Sequence, residues 1–371
     1  MRDDKIFMRL TLKLAKKGLG LTSPNPIVGA VVVKGNRVIG TGFHKKAGLA
    51  HAEVAALNEA KADAKGATLY VNLEPCNHFG RTPPCTKAII NSGIKKVVVA
   101  MQDPSPITKG KGFQSLKKAG IAVTIGILES EAKRLNEVFI KYVTKKTPFV
   151  IAKVAQSLDG KIATRAKDSK WISNEKSRRY VHELRGQVDA VMVGLGTVIS
   201  DNPLLTGRLI QKGREGKHPV KVIVDCSLKT PIKSRIFTKD SPAKVIMATT
   251  ERAPKPKINK FQKIGCEVLV LKEKKGMVDL KQLLRKLREK EIASVLVEGG
   301  GELIGNLADE RLIDKFLIFI APKIIGGRGA VTSVEGVGIR KIRQALVLKD
   351  LKNKRFGTDL LIEGYSRCLR A

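Results

Sequence analysis

Residues 50–60 read AHAEVAALNEA, and residues 73–85 read LEPCNHFGRTPPC. Together they place a His, a Glu two positions later, and two Cys on either side of a Pro- and Gly-rich turn. Catalytic zinc is commonly held by three protein side chains and keeps a fourth position open for water. His51, Cys76 and Cys85 meet that requirement. Thiolates are soft donors that suit zinc, and an imidazole completes the set. Glu53 lies near the start of a helical pattern, so it can face the same cleft as His51 without being a ligand. From there it can take a proton from water, whose pKa bound zinc lowers to about 7, and return that proton to a leaving amine.

The run follows the zinc-deaminase pattern His-x-Glu…Pro-Cys-x-x-Cys, with Pro75 ahead of Cys76. It departs from the pattern in one respect: eight residues, NHFGRTPP, separate Cys76 from Cys85 instead of two. Cys85 still opens a helical pattern, so a looped insertion leaves the coordination intact. Two blander readings stay open. One is a capping His, a structural Glu and two buried thiols. The other is a purely structural zinc with His78 as a fourth ligand; its place inside the insertion suits a substrate contact better.

A chain of 371 residues implies two domains. The hydrophobic fraction of 43% excludes wholesale disorder, and with aromatics at 4% the cores must be built from Val, Ile, Leu and Ala. No stretch approaches about 18 uninterrupted apolar residues, so no membrane span is expected. The first twenty residues lack the apolar core and cleavage site of a signal peptide. They read instead as an amphipathic helix with Phe7, Leu10, Leu14 and Ala15 on one face. Five cysteines without a regular framework argue against a disulfide scaffold and for the cytoplasm. The net charge of +36 allows a nucleic-acid partner. The basic residues are spread along the chain and aromatics for base stacking are few, so an anionic small-molecule substrate is the preferred reading.

The first 145 residues alternate strand and helix signals. A hairpin spans 27–44, helices are expected over 50–64, 85–94 and 112–121, and strands over 67–76, 95–106 (ending in a Pro-broken loop) and 122–128. A long polar helix runs from about Glu129 to Val143, and Pro148 follows it. The domain boundary is placed there, giving domains 1–146 and 147–371. The second half holds about eight apolar strand signals and two plain helices, 174–187 with Asn174 as N-cap and 278–291. These imply an α/β fold with one large, mostly parallel sheet. The segments QKGREGKH (211–218) and TERAPKPKINK (250–260) read as surface loops.

SPNPIVGAVVV, GFH, HAE and LEPCNHFGRTPPC together resemble the deaminase half of the bifunctional riboflavin-biosynthesis deaminase/reductase. The Cys-x-His-x-Gly-Arg-Thr-Pro-Pro-Cys insertion is characteristic of that family. The resemblance implies that His51, Cys76 and Cys85 bind zinc and that Glu53 is the catalytic proton shuttle. It places Asn25, and with it His44, His78 and Arg81, in the substrate pocket.

In the second half, SVLVEGGGELIGNLADE (294–310) runs from a buried strand through three glycines into a helix, an arrangement that lets backbone N–H groups meet a phosphate. Taken alone it is equally well explained by strand–turn–helix packing. KVAQSLDGKIA (153–163), SKWIS (169–173) and GLGTVISDNPLLTGR (194–208) resemble the reductase half of the same family, which has a dihydrofolate-reductase-like fold. The third of these reads as a strand end followed by a polar loop. The resemblance implies NADPH contacts at Ala155, Trp171, Thr197, Asp201 and the run Gly300, Gly301, Glu302, Leu303, Ile304, Gly305 and Asn306. It implies substrate contacts at Ser169, Arg185, Leu205, Arg208 and Glu298, with Lys153 and Asp201 as charged groups near the hydride-transfer site. The Asp159-Gly160 turn is expected to be structural only.

The implied chemistry is zinc-dependent deamination of a diaminopyrimidinone ribosyl phosphate, followed by NADPH-dependent reduction of the ribosyl to a ribityl chain. A homo-oligomer is expected. Three other classes remain: a chain with one inactive half, a nucleic-acid-binding protein or RNA deaminase using the +36 charge, and a non-catalytic binding module that would hold no zinc.

Overall fold

In the computed structural model, residues 2–80, 82–207, 218–238, 240 and 243–366 are described. Arg81, Arg208 and residues 211–217 of the segment expected as a surface loop lie outside them. The chain divides into two compact units, residues 1–146 and 147–371.

The first unit begins with α1 (Arg2–Ala15). Its buried face is Met8, Thr11, Leu12 and Ala15, with Phe7, Leu10 and Leu14 half-buried at its flanks. The helix is therefore where its periodicity puts it, but its inner face is turned toward Met8 and Leu12. Strands β1 (Gly29–Lys34) and β2 (Arg37–Phe43) form an antiparallel hairpin. Gly35 and Asn36 close it, both with positive φ, as a two-residue turn with right-handed strand twist requires. Then come α2 (Ala52–Ala60), β3 (Thr68–Leu73), α3 (Cys85–Asn91), β4 (Lys96–Met101), α4 (Lys111–Lys118) and β5 (Ala122–Ile125). The sheet order is β2-β1-β3-β4-β5, with β3, β4 and β5 parallel. Val97, Val98 and Val99 on β4 are all fully buried, so both faces of this strand are covered.

The expected long helix over 129–143 is two helices, α5 (Glu129–Leu135) and α6 (Glu137–Lys145), interrupted at Asn136. The cause is a side-chain task. Asn136 Oδ1 accepts the Ile27 N–H at 2.8 Å, and its Nδ2 donates to the Ile27 carbonyl at 3.0 Å. Asn72 on β3 does likewise, accepting Gly29 N–H and donating to Ile27 O. Two buried amide side chains thus act as a substitute strand for residues 27–29.

The second unit comprises β6 (Phe149–Ser157), β7 (Lys161–Ala163), α7 (Glu175–Gln187), β8 (Ala190–Gly194), α8 (Leu195–Asp201), β9 (Val220–Val224) and β10 (Val245–Thr249). It continues with α9 (Lys255–Lys263), β11 (Glu267–Val270), β12 (Glu273–Lys274), β13 (Met277–Val278), α10 (Leu280–Glu289), β14 (Ser294–Val297) and α11 (Gly301–Asp309). Last come β15 (Lys315–Ala321), β16 (Val331–Thr332), β17 (Lys349–Phe356) and β18 (Asp359–Tyr365). A nine-stranded sheet runs β11-β10-β9-β8-β14-β6-β15-β18-β17. It is parallel from β11 to β15, and β18 is antiparallel to both of its neighbours.

Asn174 caps α7 as expected, its Oδ1 accepting Ser177 N–H at 3.0 Å. Three elements differ from the sequence expectations. Half of the 250–260 segment is helix α9, with Pro256 in its first turn, where a missing N–H costs nothing. Thr197 and Asp201 lie on the short helix α8 and not in a polar loop. β17 is an added edge strand, hidden in the sequence because both of its faces are exposed and it carries Lys349, Lys352, Lys354 and Arg355. Among the described residues, no helix is long and apolar enough to cross a membrane.

Candidate active sites

In the first unit, glycines on β2 bring α2 close to the sheet. A Cβ at Gly42 would lie 2.2 Å from the Ala52 carbonyl oxygen, and one at Gly40 would lie 2.2 Å from that of Ala56. His51 immediately precedes α2, Glu53 is in its first turn, Cys76 follows β3, and Cys85 opens α3. His51 Nδ1 is 3.1 Å from Cys85 Sγ and 3.6 Å from Cys76 Sγ, and the three donor atoms all lie within 4.8 Å of one another. Tetrahedral zinc, with bonds of about 2.0–2.3 Å to N and S, sets neighbouring donors roughly 3.5 Å apart, so this set fits the metal. His51 Nε2 is 3.3 Å from Thr82 Oγ1, a contact that orients the ring for coordination through Nδ1.

The electrostatics agree. A hydrogen bond from Cys85 holds the Cys76 thiol down at about 4, while Cys85 is pushed far up because it supplies that proton. One proton is therefore held where a divalent cation would bring both thiols to thiolates. Burial pushes the Glu53 carboxyl up to about 7, with Cys76 adding and His51 opposing.

His44 packs edge-on against His51 with ring centroids 5.2 Å apart, and its Nε2 is 3.2 Å from Asn25 Nδ2. Burial lowers its pKa. Asn25 and His44 are therefore beside the three-donor cluster. His78 is outside the cluster; it is exposed, with Nδ1 3.4 Å from Thr108 Oγ1.

Sequence reasoning gave Glu74 no role, although it stands in the quoted Glu-Pro-Cys run. Its buried carboxylate accepts backbone N–H bonds from Asp103 (3.1 Å), Gly110 (3.0 Å), Gly112 (3.0 Å) and Phe113 (3.4 Å). It thereby fixes the loop that carries Thr108. Thr82, Asn72 and Asn136 were also missed, since nothing in their local pattern signals a long-range partner.

In the second unit, a cavity of about 1090 Å³ opens at the C-terminal ends of β6, β8, β9 and β14. That is the usual ligand position of an open α/β sheet. Glu298, just past β14, is the buried centre of an ion group. Arg185 Nε is 2.5 Å from Oε1, Arg185 Nη2 is 3.0 Å from Oε2, and Lys153 Nζ is 3.1 Å from Oε2. Burial alone would raise the Glu298 pKa; Arg185 and Lys153 outweigh it and hold the group at about 2. Ser169 Oγ donates to Asp201 Oδ1 at 2.7 Å. Trp171 is 62% exposed, and the Arg178 guanidinium lies 4.5 Å from its ring centroid. Ala155, Thr197 and Leu205 also line the cavity.

Gly194, Gly196 and Gly300 line the cavity too, and a Cβ on Gly196 would meet no protein atom within 4 Å. Bare backbone thus faces the space, as a phosphate-bearing cofactor requires, and α11 begins at Gly301. The wall includes Gly300, Gly301, Glu302, Leu303 and Ile304 but not Gly305 or Asn306. Gly305 packs against the chain at Glu335, and Asn306 donates to the Glu302 carbonyl. Asp159 accepts from Ser157 Oγ, Ile325 N and Gly326 N, tying two turns together.

Residues 1–101 match the cytidine and deoxycytidylate deaminase zinc-binding region, and residues 148–362 match the RibD C-terminal domain. The riboflavin biosynthesis protein RibD of Aquifex aeolicus is 46% identical over 359 residues, which is 97% of each chain. The structure of Acinetobacter baumannii RibD aligns with a TM-score of 0.88 at 37% identity, covering 98% of this chain and 99% of that one. A diaminohydroxyphosphoribosylaminopyrimidine deaminase/5-amino-6-(5-phosphoribosylamino)uracil reductase from Thermotoga maritima aligns with a TM-score of 0.83 at 42% identity, with the same coverage. Fold and sites define a zinc-dependent deaminase joined to an NADPH-dependent reductase. The chain belongs to the RibD family of riboflavin biosynthesis.

Proposed function

We propose that residues 1–146 deaminate 2,5-diamino-6-ribosylamino-4(3H)-pyrimidinone 5′-phosphate and that residues 147–371 then reduce its ribosyl side chain to ribityl. The observation that carries the reading is the His51–Cys76–Cys85 cluster with the buried Glu53 carboxyl beside it. Zinc held by those three residues supplies Lewis acidity that makes water nucleophilic near neutral pH. Glu53 accepts the proton released by that water and delivers it to the departing amine, so that the ring carbon exchanges nitrogen for oxygen and ammonia leaves. Thr82 keeps the His51 ring in place, and Asn25 and His44 form the neighbouring wall. His78 and Arg81, from the insertion, are assigned to the substrate.

NADPH supplies the reducing equivalent in the second unit. The Gly300–Ile304 wall, Thr197, Ala155 and Trp171 receive the cofactor. Arg185, Ser169, Leu205 and Arg208 receive the substrate. Lys153, oriented by Glu298, hydrogen-bonds the sugar, and Asp201 lines the same cavity. A cytoplasmic location suits ligand thiols that must stay reduced. We expect a dimer or tetramer, supported by exposed Val337, Ile342 and Val347 in the second unit.

The test is a coupled assay on the diaminopyrimidinone ribosyl phosphate with and without NADPH. Ammonia release should not need NADPH, and NADPH oxidation should need the deaminated product. Glu53→Gln should abolish the first step alone and Asp201→Asn should impair the second alone. Wild-type protein that releases no ammonia from this substrate would end the proposal.

A further inference from the structure

The substrate side of the reductase cavity is walled by a connection that is neither helix nor strand. After α8 the chain runs through residues 203–207, and Pro203, Leu204, Leu205 and Thr206 line the space. The backbone enters the left-handed region twice here, at Asn202 with φ +43° and at Leu205 with φ +53°. Asn tolerates that conformation, whereas a Leu Cβ crowds the following carbonyl. Leu205 is nevertheless 3% exposed, a strained residue built into the wall of a site. Such a residue keeps its backbone only where the surroundings hold it.

The imidazole of His182 is placed to hold it. His182 lies on α7, three residues before Arg185, and lines the same cavity. Its Nδ1 is 3.0 Å from the carbonyl oxygen of Thr206, the residue after Leu205. A carbonyl oxygen only accepts, so Nδ1 carries the proton and donates it. Arg185 Nη1 lies 3.5 Å from the same oxygen, while its Nε and Nη2 are committed to Glu298. The short bond to Thr206 is therefore the histidine's. α7 is itself fixed, at its start by the Asn174 cap and along its inner face by buried Val181 and Leu184, so the donor stands on a rigid element.

We infer that His182 is a positioning residue of the reductase: through Thr206 it holds the strained Leu205, and the chain leading to Arg208, in the shape that receives the substrate. The inference rests on the reductase reading given above. His182 acts through the connection, with its Nδ1 proton committed to Thr206 and not to the sugar. Its loss is therefore felt in substrate binding and not in hydride transfer or in the cofactor.

The test is steady-state NADPH oxidation on the deaminated substrate by the full chain as wild type, His182→Asn and His182→Gln. The two amides are both polar, but the Asn nitrogen takes the place of Nδ1 and the Gln nitrogen that of Nε2. His182→Gln should raise KM for the sugar phosphate about tenfold, as expected for a lost hydrogen bond, with kcat and the KM for NADPH within about twofold of wild type. His182→Asn keeps the donor and should return KM to within about threefold of wild type. Wild-type KM in His182→Gln overturns the inference. Equal damage in both variants overturns it too, because a filler of space would not distinguish the two nitrogens. So does a fall in kcat at unchanged KM, which would make the ring a participant in the chemistry. Each of these leaves the reductase reading standing, whereas wild-type protein that oxidises no NADPH with this substrate removes that reading and the inference with it.

Discussion

Asn136 grips Ile27 on both of its main-chain groups, across 109 residues of sequence. Removing the grip leaves the half-buried Ile27 N–H without its partner and the Ile27 carbonyl with Asn72 alone. Asn136→Ala should therefore cost about 2–4 kcal/mol. Asn136→Asp should not restore the loss, because its second oxygen would face the Ile27 carbonyl. Urea midpoints followed in the first unit check this; wild-type midpoints in both variants would show that Asn72 alone suffices.

Metal removal separates the two halves. Chelation, or Cys85→Ser, should eliminate stoichiometric zinc and ammonia release while NADPH-dependent reduction of the deaminated substrate continues. Because zinc binds the folded form, added metal should also raise the unfolding temperature of the wild type but not of Cys85→Ser. Elemental analysis beside the two rate measurements decides it.

The Glu298 group predicts an acid-dependent stability. Its carboxyl is held at about 2 against an ordinary 4.5, so the folded state favours the ionised form. The stabilisation is complete above pH about 4.5, declines as pH falls below it, and is gone below about 2. The gap corresponds to about 3 kcal/mol. Glu298→Gln should flatten the slope of unfolding free energy against pH across that window, while leaving two buried cations poorly matched and the protein less stable at pH 7. An unchanged slope would assign the acid response to other carboxylates.

Glu74→Gln replaces one of two acceptor oxygens by a donor that faces backbone N–H groups. Loss of the charge-assisted bonds from Asp103 and Gly110 to Oε2, or of those from Gly112 and Phe113 to Oε1, should cost about 3 kcal/mol. Hydrogen exchange reads it directly: the amides of 103–113 should lose protection while those of β14 keep theirs. Equal loss in both places would mean a general destabilisation.

Much of this was legible in the sequence because the chemistry is local. His51 and Glu53 share one helix start, Cys76 follows a strand, and Cys85 opens a helix, so residue type and spacing suffice. The buried strands of the second unit are equally plain, since β14 and its neighbours are unbroken apolar runs. What escaped was set by distant partners. Nothing near Asn136 announces that Ile27 will break its helix. β17 has no apolar face to reveal it, and Pro254 and Pro256 disguise α9 as a loop. The residue-by-residue likeness extends past the cavity wall to Gly305, whose lack of a side chain is required by close packing against Glu335.

The bonds that Glu74 receives all come from main-chain amides, which every residue but proline carries. The placement of the segment they hold is thus indifferent to which side chains lie between Asp103 and Gly110. Such a rim can drift in composition, and change what it admits, while the machinery behind it keeps its shape.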